Sequence, residues 1–348
     1  LLSCFILFTY LINVIISAMQ IERPKIELYE MRSIGEKFSA VFGFIRENFK
    51  LLLRACTYLL LPLCLVQGVV MEVMVNVLTP FYTNTLGIGN NMDLSDSMLL
   101  RMGGAYLGYC LCMMVGTILL TGICFGMVKY YQASPNRLRG VMMSDLKPTI
   151  IKVIKRSLVM SLVLVAILIV LMALLITFTV LLDTVILVVF FFLGILVFSL
   201  PVSMAIPVYV FEEDESLFNA LLRGIRLGFK SFWSLLGLIF VMGFLSNTIS
   251  SFTTLPWYML TIVRGVFIVD QSSQAAFVGS PVYSFCVYLA SVFMNFCMYL
   301  TMTLSTFALA FHYGSIAEEE DGFSVEKDIQ RFEELKEEDN DIDNFDKL

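Results

Sequence analysis

Any chemistry in this chain must be built from few residues: one histidine, eight cysteines, and a single acid, Glu72, well inside an apolar run. His312 stands alone, so neither a two-histidine metal site nor a cysteine site with a second imidazole can be assembled. The cysteines lie in apolar segments, and Cys110-x-Cys112 has neither a zinc nor a redox spacing. Such thiols act as small hydrophobes. The sequence has no glycine-rich phosphate loop. Ser246 and Ser250, read as nucleophiles, have no facing base. These residues point to a non-enzymatic protein without cofactor or metal.

Glu72 is a different case. An ionisable residue inside a long apolar run is costly and is a functional candidate for that reason. With Gln67 and Asn76 it makes a polar series, and Asn247 and Asn295 are polar groups that could face it from other apolar runs. Two readings stay open: a polar cavity or path, or hydrogen bonding between helices.

The elements that must position these groups are set by where charge is missing. Stretches 55–71, 102–128, 157–182, 184–211, 231–263 and 271–317 contain no Asp, Glu, Lys or Arg. A membrane span needs about 20 mostly apolar residues. Six spans are expected, near 55–78, 103–128, 158–182, 184–209, 232–254 and 282–311, with Asp183 at a tight turn between the third and fourth. The composition agrees: 58% apolar and 15% charged, against roughly 45–50% and 25% in soluble domains. Trp233 and Trp257-Tyr258 suit the two aromatic belts. Gly104-x-x-x-Gly108 and Gly122-x-x-x-Gly126 let helix backbones approach closely.

Charge also sets orientation. Of 23 Lys and Arg residues, 21 fall in four blocks. These blocks lie before the first span, between spans two and three, between four and five, and after six. Lys and Arg accumulate on the cytoplasmic side, so the region from Met19 and the C-terminus are expected in the cytoplasm. Residues 315–348 carry 14 acids against 4 bases, an acidic tail on a membrane body of net charge +4. Membrane lipids, with anionic headgroups, are the expected partners, beside a possible membrane-protein partner. No basic face is large enough to track nucleic acid. Segment 1–18 is apolar and open to three readings: an extra span, a signal segment without a basic start, or upstream sequence ahead of a true start at Met19. The domains expected are thus 1–18, a six-span unit over 19–314, and the tail.

Each of the first three basic blocks carries an apolar stripe at helical spacing. The stripes are Phe38, Val41, Phe42, Ile45, Phe49 and Leu52; Leu146, Ile150, Val153 and Ile154; and Leu217, Phe218, Leu221, Leu222, Ile225, Phe229 and Phe232. Ser33-Ile-Gly-Glu36 is a capping-box pattern ahead of the first. Basic amphipathic helices beside spans lie in the headgroup region. The chain therefore reads as an all-α polytopic membrane protein built from three repeats of interfacial helix plus transmembrane hairpin. Arg223, Arg226 and Lys230 are the candidate contacts for lipid or a partner.

Pro207, Glu212, Ser216, Ala220, Leu221, Arg223, Leu227, Phe232 and Trp233 form the most specific local pattern. It resembles the membrane domain attached to some bacterial glycerophosphoryl diester phosphodiesterases and the stand-alone YciC-like inner-membrane proteins. There a span ends in Pro, an acid follows, and an Ala-Leu-x-Arg helix leads to a Phe-Trp entry into the next span. Gly224 departs from the pattern, the acidic run 212–215 is longer, and the tail is outside it. The resemblance implies a bacterial inner membrane and a non-catalytic role. The expected function is to organise lipid or a membrane partner through cytoplasmic interfacial helices; the alternative is a transporter or permease component with a polar path near Glu72.

Overall fold

The computed structural model describes residues 25–85, 96–182, 186–269 and 275–322. Segment 1–18, the turn at Asp183 and the tail beyond residue 322 lie outside the described residues. The elements are α1 Ile34–Thr85, α2 Asp96–Ala133, α3 Met143–Leu182, α4 Ile186–Ser203, α5 Ala205–Phe211, α6 Leu217–Lys230, α7 Phe232–Val269, α8 Ala275–Val278 and α9 Pro281–Asp321. Six helical stretches are long and apolar enough to cross a membrane: α1, α2, α3, α4 with α5, α7, and α9. The chain is an all-α polytopic membrane protein.

Helix α9 packs against both α7 and α1, α1 against α2, and α2 against α3. The most apolar windows of α2 and α9 are 56% and 50% buried, whereas those of α3 and of α4 with α5 are each 6% buried. Their uncovered side chains, Ile169, Val180, Val189 and Leu196 among them, suit hydrocarbon, where helices satisfy their own backbone groups.

The first two amphipathic segments are not separate helices. Residues 38–52 belong to α1, a single helix of 52 residues and so about 78 Å long, and residues 146–156 belong to α3. No glycine or proline lies between Phe49 and Tyr58 to break the rod. The capping box forms as the sequence suggests: Ser33 N donates to Glu36 Oε2 at 2.7 Å, and Glu36 N donates to Ser33 Oγ at 3.4 Å.

The buried face of α1 is rotated from the sequence stripe. Val41 and Leu52 are buried, but Phe42 is 45% exposed and the centre of the face is Phe44, which is fully buried. Its ring lies 5.1 Å from Tyr131, 5.1 Å from Phe307 and 5.7 Å from Phe311. Both sides of this rod are apolar, so period alone does not choose between them. The aromatics of α2 and α9 do.

At the basic end, residues 25–33 run without helix across the bundle. Lys25 Nζ donates to the carbonyls of Gln132 and Ser134 at 3.0 and 3.1 Å, and Arg32 N donates to Ser315 Oγ at 3.0 Å. Gly314 makes the crossing possible, because a Cβ there would lie 2.3 Å from the Leu28 carbonyl oxygen. The last helix runs on through Glu318 to a left-handed cap at Gly322, so 315–321, read from sequence as the start of the tail, is helix, buried as far as Glu318.

Candidate functional site

The break between α4 and α5 follows from Pro207. It has no N–H for the Ser203 carbonyl, and its ring crowds that group. The chain resumes as α5 for two turns and ends at Glu212, an extended residue. The carbonyls freed there are gathered by cations of other helices. Arg156 of α3 donates to the carbonyl oxygens of Tyr209 at 2.6 Å, Glu213 at 3.0 Å and Glu212 at 3.0 Å. Its guanidinium also lies over the Tyr209 ring, 4.2 Å from the centroid. Lys129 of α2 donates to the Val210 carbonyl at 3.1 Å.

The first two acids of this loop, Glu212 and Glu213, are each held. Glu213 accepts from Lys129 and Lys152, and these two lysines hold its carboxyl down at about 2. Glu212 accepts from the Tyr313 hydroxyl at 2.7 Å and pairs with Arg223 at 3.1 Å. Burial nevertheless pushes its carboxyl above the usual range, since taking the charge out of water outweighs both partners. The Tyr313 ring stacks on Phe211 with centroids 5.5 Å apart.

Ser216 then caps α6, its Oγ accepting from Asn219 N. Helix α6 has three faces. Ala220, Gly224, Leu227 and Gly228 are buried. A Cβ on Gly224 would lie 2.4 Å from Ala205 Cα, and one on Gly228 would lie 2.4 Å from Pro201 Cα. The helix therefore docks on α4 and α5 backbone to backbone. Phe218, Leu222 and Phe229 share one line at i, i+4 and i+11 and are 65%, 51% and 44% exposed. Trp233, at the start of α7, is 80% exposed. The third face holds the cations. Arg223 pairs with Asp321 as well as Glu212, and Lys230 pairs with Glu320, while Arg226 is exposed. Two of the three candidate cations thus tie α6 to the end of α9. The acids of the tail beyond residue 322 lie outside the described residues.

Of the loop motif, Pro207, Ala220 and Leu221 are buried, Glu212 and Phe232 are half-buried, and Ser216 and Trp233 are exposed. The grip of Lys129, Lys152 and Arg156 was not legible, because the sequence marks them only as members of the basic block between spans two and three. Gly224, a departure from the resembled pattern, is what permits the dock.

The intramembrane polar residues do not converge on one place. Arg264 Nη1 donates to Glu72 Oε1 at 2.6 Å, and Arg264 Nη2 donates to Asn76 Oδ1 at 2.8 Å. Nearer the middle of the bundle, Tyr299 donates to Gln67 at 3.2 Å and Tyr109 donates to Asn295 at 3.4 Å. Asn247 is exposed and donates to the Gly243 carbonyl of its own helix. A fifth span near 232–254 leaves Arg264 in the loop after it, but α7 continues to Val269. Trp257 is buried in a cluster with Met71, Val75 and Met294. The signal was present: Glu72 and Arg264 each directly follow a long charge-free run. Comparison of the chain with protein-family models, curated proteins and solved structures finds no match.

Proposed function

We propose that this chain is a non-enzymatic inner-membrane protein, its basic end in the cytoplasm, that organises lipid or a membrane partner through α6 and the α6–α7 junction. The observation that carries this reading is the three-faced helix. Its small residues are spent on docking and two of its cations on α9, which leaves Phe218, Leu222, Phe229 and Trp233 uncovered in one region at the end of the bundle. An exposed apolar line beside an aromatic anchor suits the headgroup–acyl boundary. The pattern shared with the phosphodiesterase-attached and YciC-like membrane domains covers the same segment, which supports the same placement. The test uses Trp233 as its own reporter. With Trp257→Phe, the full-length protein in vesicles should show Trp233 emission quenched by lipids brominated near the glycerol and little affected by aqueous iodide. The reverse pattern would remove the reading.

The alternative, a polar path beside Glu72, draws on three buried polar atoms without hydrogen-bond partners: Gln67 Nε2, Glu72 Oε2 and Trp257 Nε1. Against it, Glu72 is held by Arg264 and Asn247 faces outward, so the residues form separate pairs. Interhelical bonding accounts for more of the geometry.

A further inference from the structure

A second polar feature at the basic end is distinct from the outer face of α6. A cleft of about 460 Å³ opens between the start of α1, the α6–α7 junction and the end of α9, lined by Arg32, Ser33, Lys37, Ser234 and Glu319 among others. Lys37 is 3% exposed. Its ammonium has three hydrogens to donate and no acceptor, and its one side-chain partner is His312 Nδ1 at 3.2 Å. Nδ1 must therefore accept. His312 then carries its hydrogen on Nε2, 3.0 Å from Ser231 Oγ, which in turn donates to the Leu227 carbonyl at 2.9 Å. This chain of donors keeps the imidazole neutral. Lys37 is thus a buried cation whose direct partner carries no charge, a costly arrangement without an anion nearby.

The neighbouring charges are already paired, with one exception. Arg32 is matched by Glu30 and Lys230 by Glu320. Glu319, on the same cleft, acts on Lys37 through space, yet no ion pair joins them. A buried cation and an exposed carboxylate therefore line the same cleft without pairing. Met31 and Ile34, 69% and 45% exposed, flank the opening.

We propose that this cleft binds the headgroup of a phosphoethanolamine lipid. The phosphate oxyanion takes the two remaining hydrogens of Lys37, and the primary ammonium donates to Glu319. A zwitterion supplies a partner to both charges at once, which a simple anion does not. The apolar edge at Met31 and Ile34 favours a lipid over a soluble phosphoethanolamine. The proposal shares with the proposed function only the placement of this end at a membrane; it does not use the Phe218–Phe229 line.

The experiment measures lipid retained by full-length protein purified from mixed micelles containing phosphatidylethanolamine, its N-trimethylated counterpart phosphatidylcholine, and phosphatidylglycerol. Methylation removes every N–H that Glu319 can accept, so wild type should retain phosphatidylethanolamine about tenfold over phosphatidylcholine, the ratio expected of one charge-assisted hydrogen bond. Glu319→Gln should collapse that ratio while leaving phosphatidylglycerol retention unchanged or raised. Lys37→Gln should lower all three lipids together. Because Lys37 is buried and its variant can fail to fold, Glu319→Gln, at an exposed position, carries the test by itself. Equal retention of the two zwitterionic lipids by wild type, or an undiminished preference in Glu319→Gln, overturns the proposal. Displacement of bound lipid by millimolar free phosphoethanolamine would overturn the lipid source. Replacing Phe218, Leu222 and Phe229 with Gln should leave the ratio unaltered, so failure of the α6 reading is visible separately.

Discussion

Glu72 of α1 and Arg264 of α7 form a 2.6 Å ion pair in which the two side chains are 18% and 11% exposed. Helix α9 packs against both of their helices, so the pair joins two rods across a shared neighbour. Asn76, one turn further along α1, takes the second guanidinium nitrogen. The arginine thus binds two successive turns of α1, a geometry the planar fork allows and a lysine does not.

Removing one partner should therefore cost far more than removing both. Arg264→Gln leaves Glu72 half-buried with Oε2 already lacking a partner, at a cost below the about 3–5 kcal/mol of breaking a fully buried pair. Glu72→Gln combined with Arg264→Gln should recover most of that loss. Thermal unfolding of the purified protein in detergent reads the cycle. Additive single effects would show that the pair is not a unit.

Acid should weaken the basic end through Glu213. Its folded-state pKa is depressed to about 2 by Lys129 and Lys152, against an ordinary 4.5. The stability it adds is therefore present above about 4.5 and lost as pH falls from there toward about 2. Glu212 has the opposite shift, raised by burial, so its protonation relieves strain above about 4.5, before the interval in which Glu213 loses its stabilisation. Glu213→Gln should be less stable than wild type at pH 7, and the gap should close below pH 4. A constant gap down to pH 3 would mean the two lysines do not hold the carboxylate.

What the sequence made legible was the part governed by averages. Runs without charge mark spans because hydrocarbon excludes charge along its whole thickness, and all six are helices of sufficient length. The capping box at Ser33 was legible because its donors and acceptors are local. Faces and partners were not. Phe42 and Phe44 are equally apolar, and only α2 and α9 decide which one is buried. The far end of the fifth span was not legible either: α7 runs on to Val269, because helix backbone does not end where hydropathy falls. Pairs such as Glu72–Arg264, 192 residues apart, leave no periodic trace.

Orientation rests on the distribution of Lys and Arg and has a direct test. Reporter fusions after Arg139 and Lys230 should read cytoplasmic, and fusions near Asn91, Asp183 and Gln271 should read external. A cytoplasmic signal at Gln271 would mean that α7 does not cross, and the six-span arrangement would fall.

The docking of α6 gives the sharpest contrast between glycines of similar spacing. Gly224 and Gly228 sit against backbone atoms of Ala205 and Pro201, which cannot move aside as a side chain can, and a Cβ at either would lie 2.4 Å from a Cα. Gly122 and Gly126 face α3, where a Cβ would lie 2.2 and 3.0 Å from the Ile154 and Ile150 side chains. Gly104 has nothing within 4 Å, and a Cβ on Gly108 would meet Val70 at an ordinary 3.6 Å. Gly224→Ala should therefore push α6 off its seat, at a cost of about 1–3 kcal/mol for overpacking. The same displacement should separate Arg223 from Asp321 and Lys230 from Glu320. Gly104→Ala should be neutral or slightly stabilising, because alanine is the better helix former by about 1 kcal/mol. Gly122→Ala should fall between them, since the Ile154 side chain can change rotamer where a backbone cannot. Protease sensitivity of the 212–231 segment in the intact protein, measured beside thermal unfolding, separates local undocking from global loss. Gly224→Ala should raise the first more than it lowers the second. If Gly104→Ala proves as damaging as Gly224→Ala, the close contact is not what holds α6, and the paired cations must hold it instead.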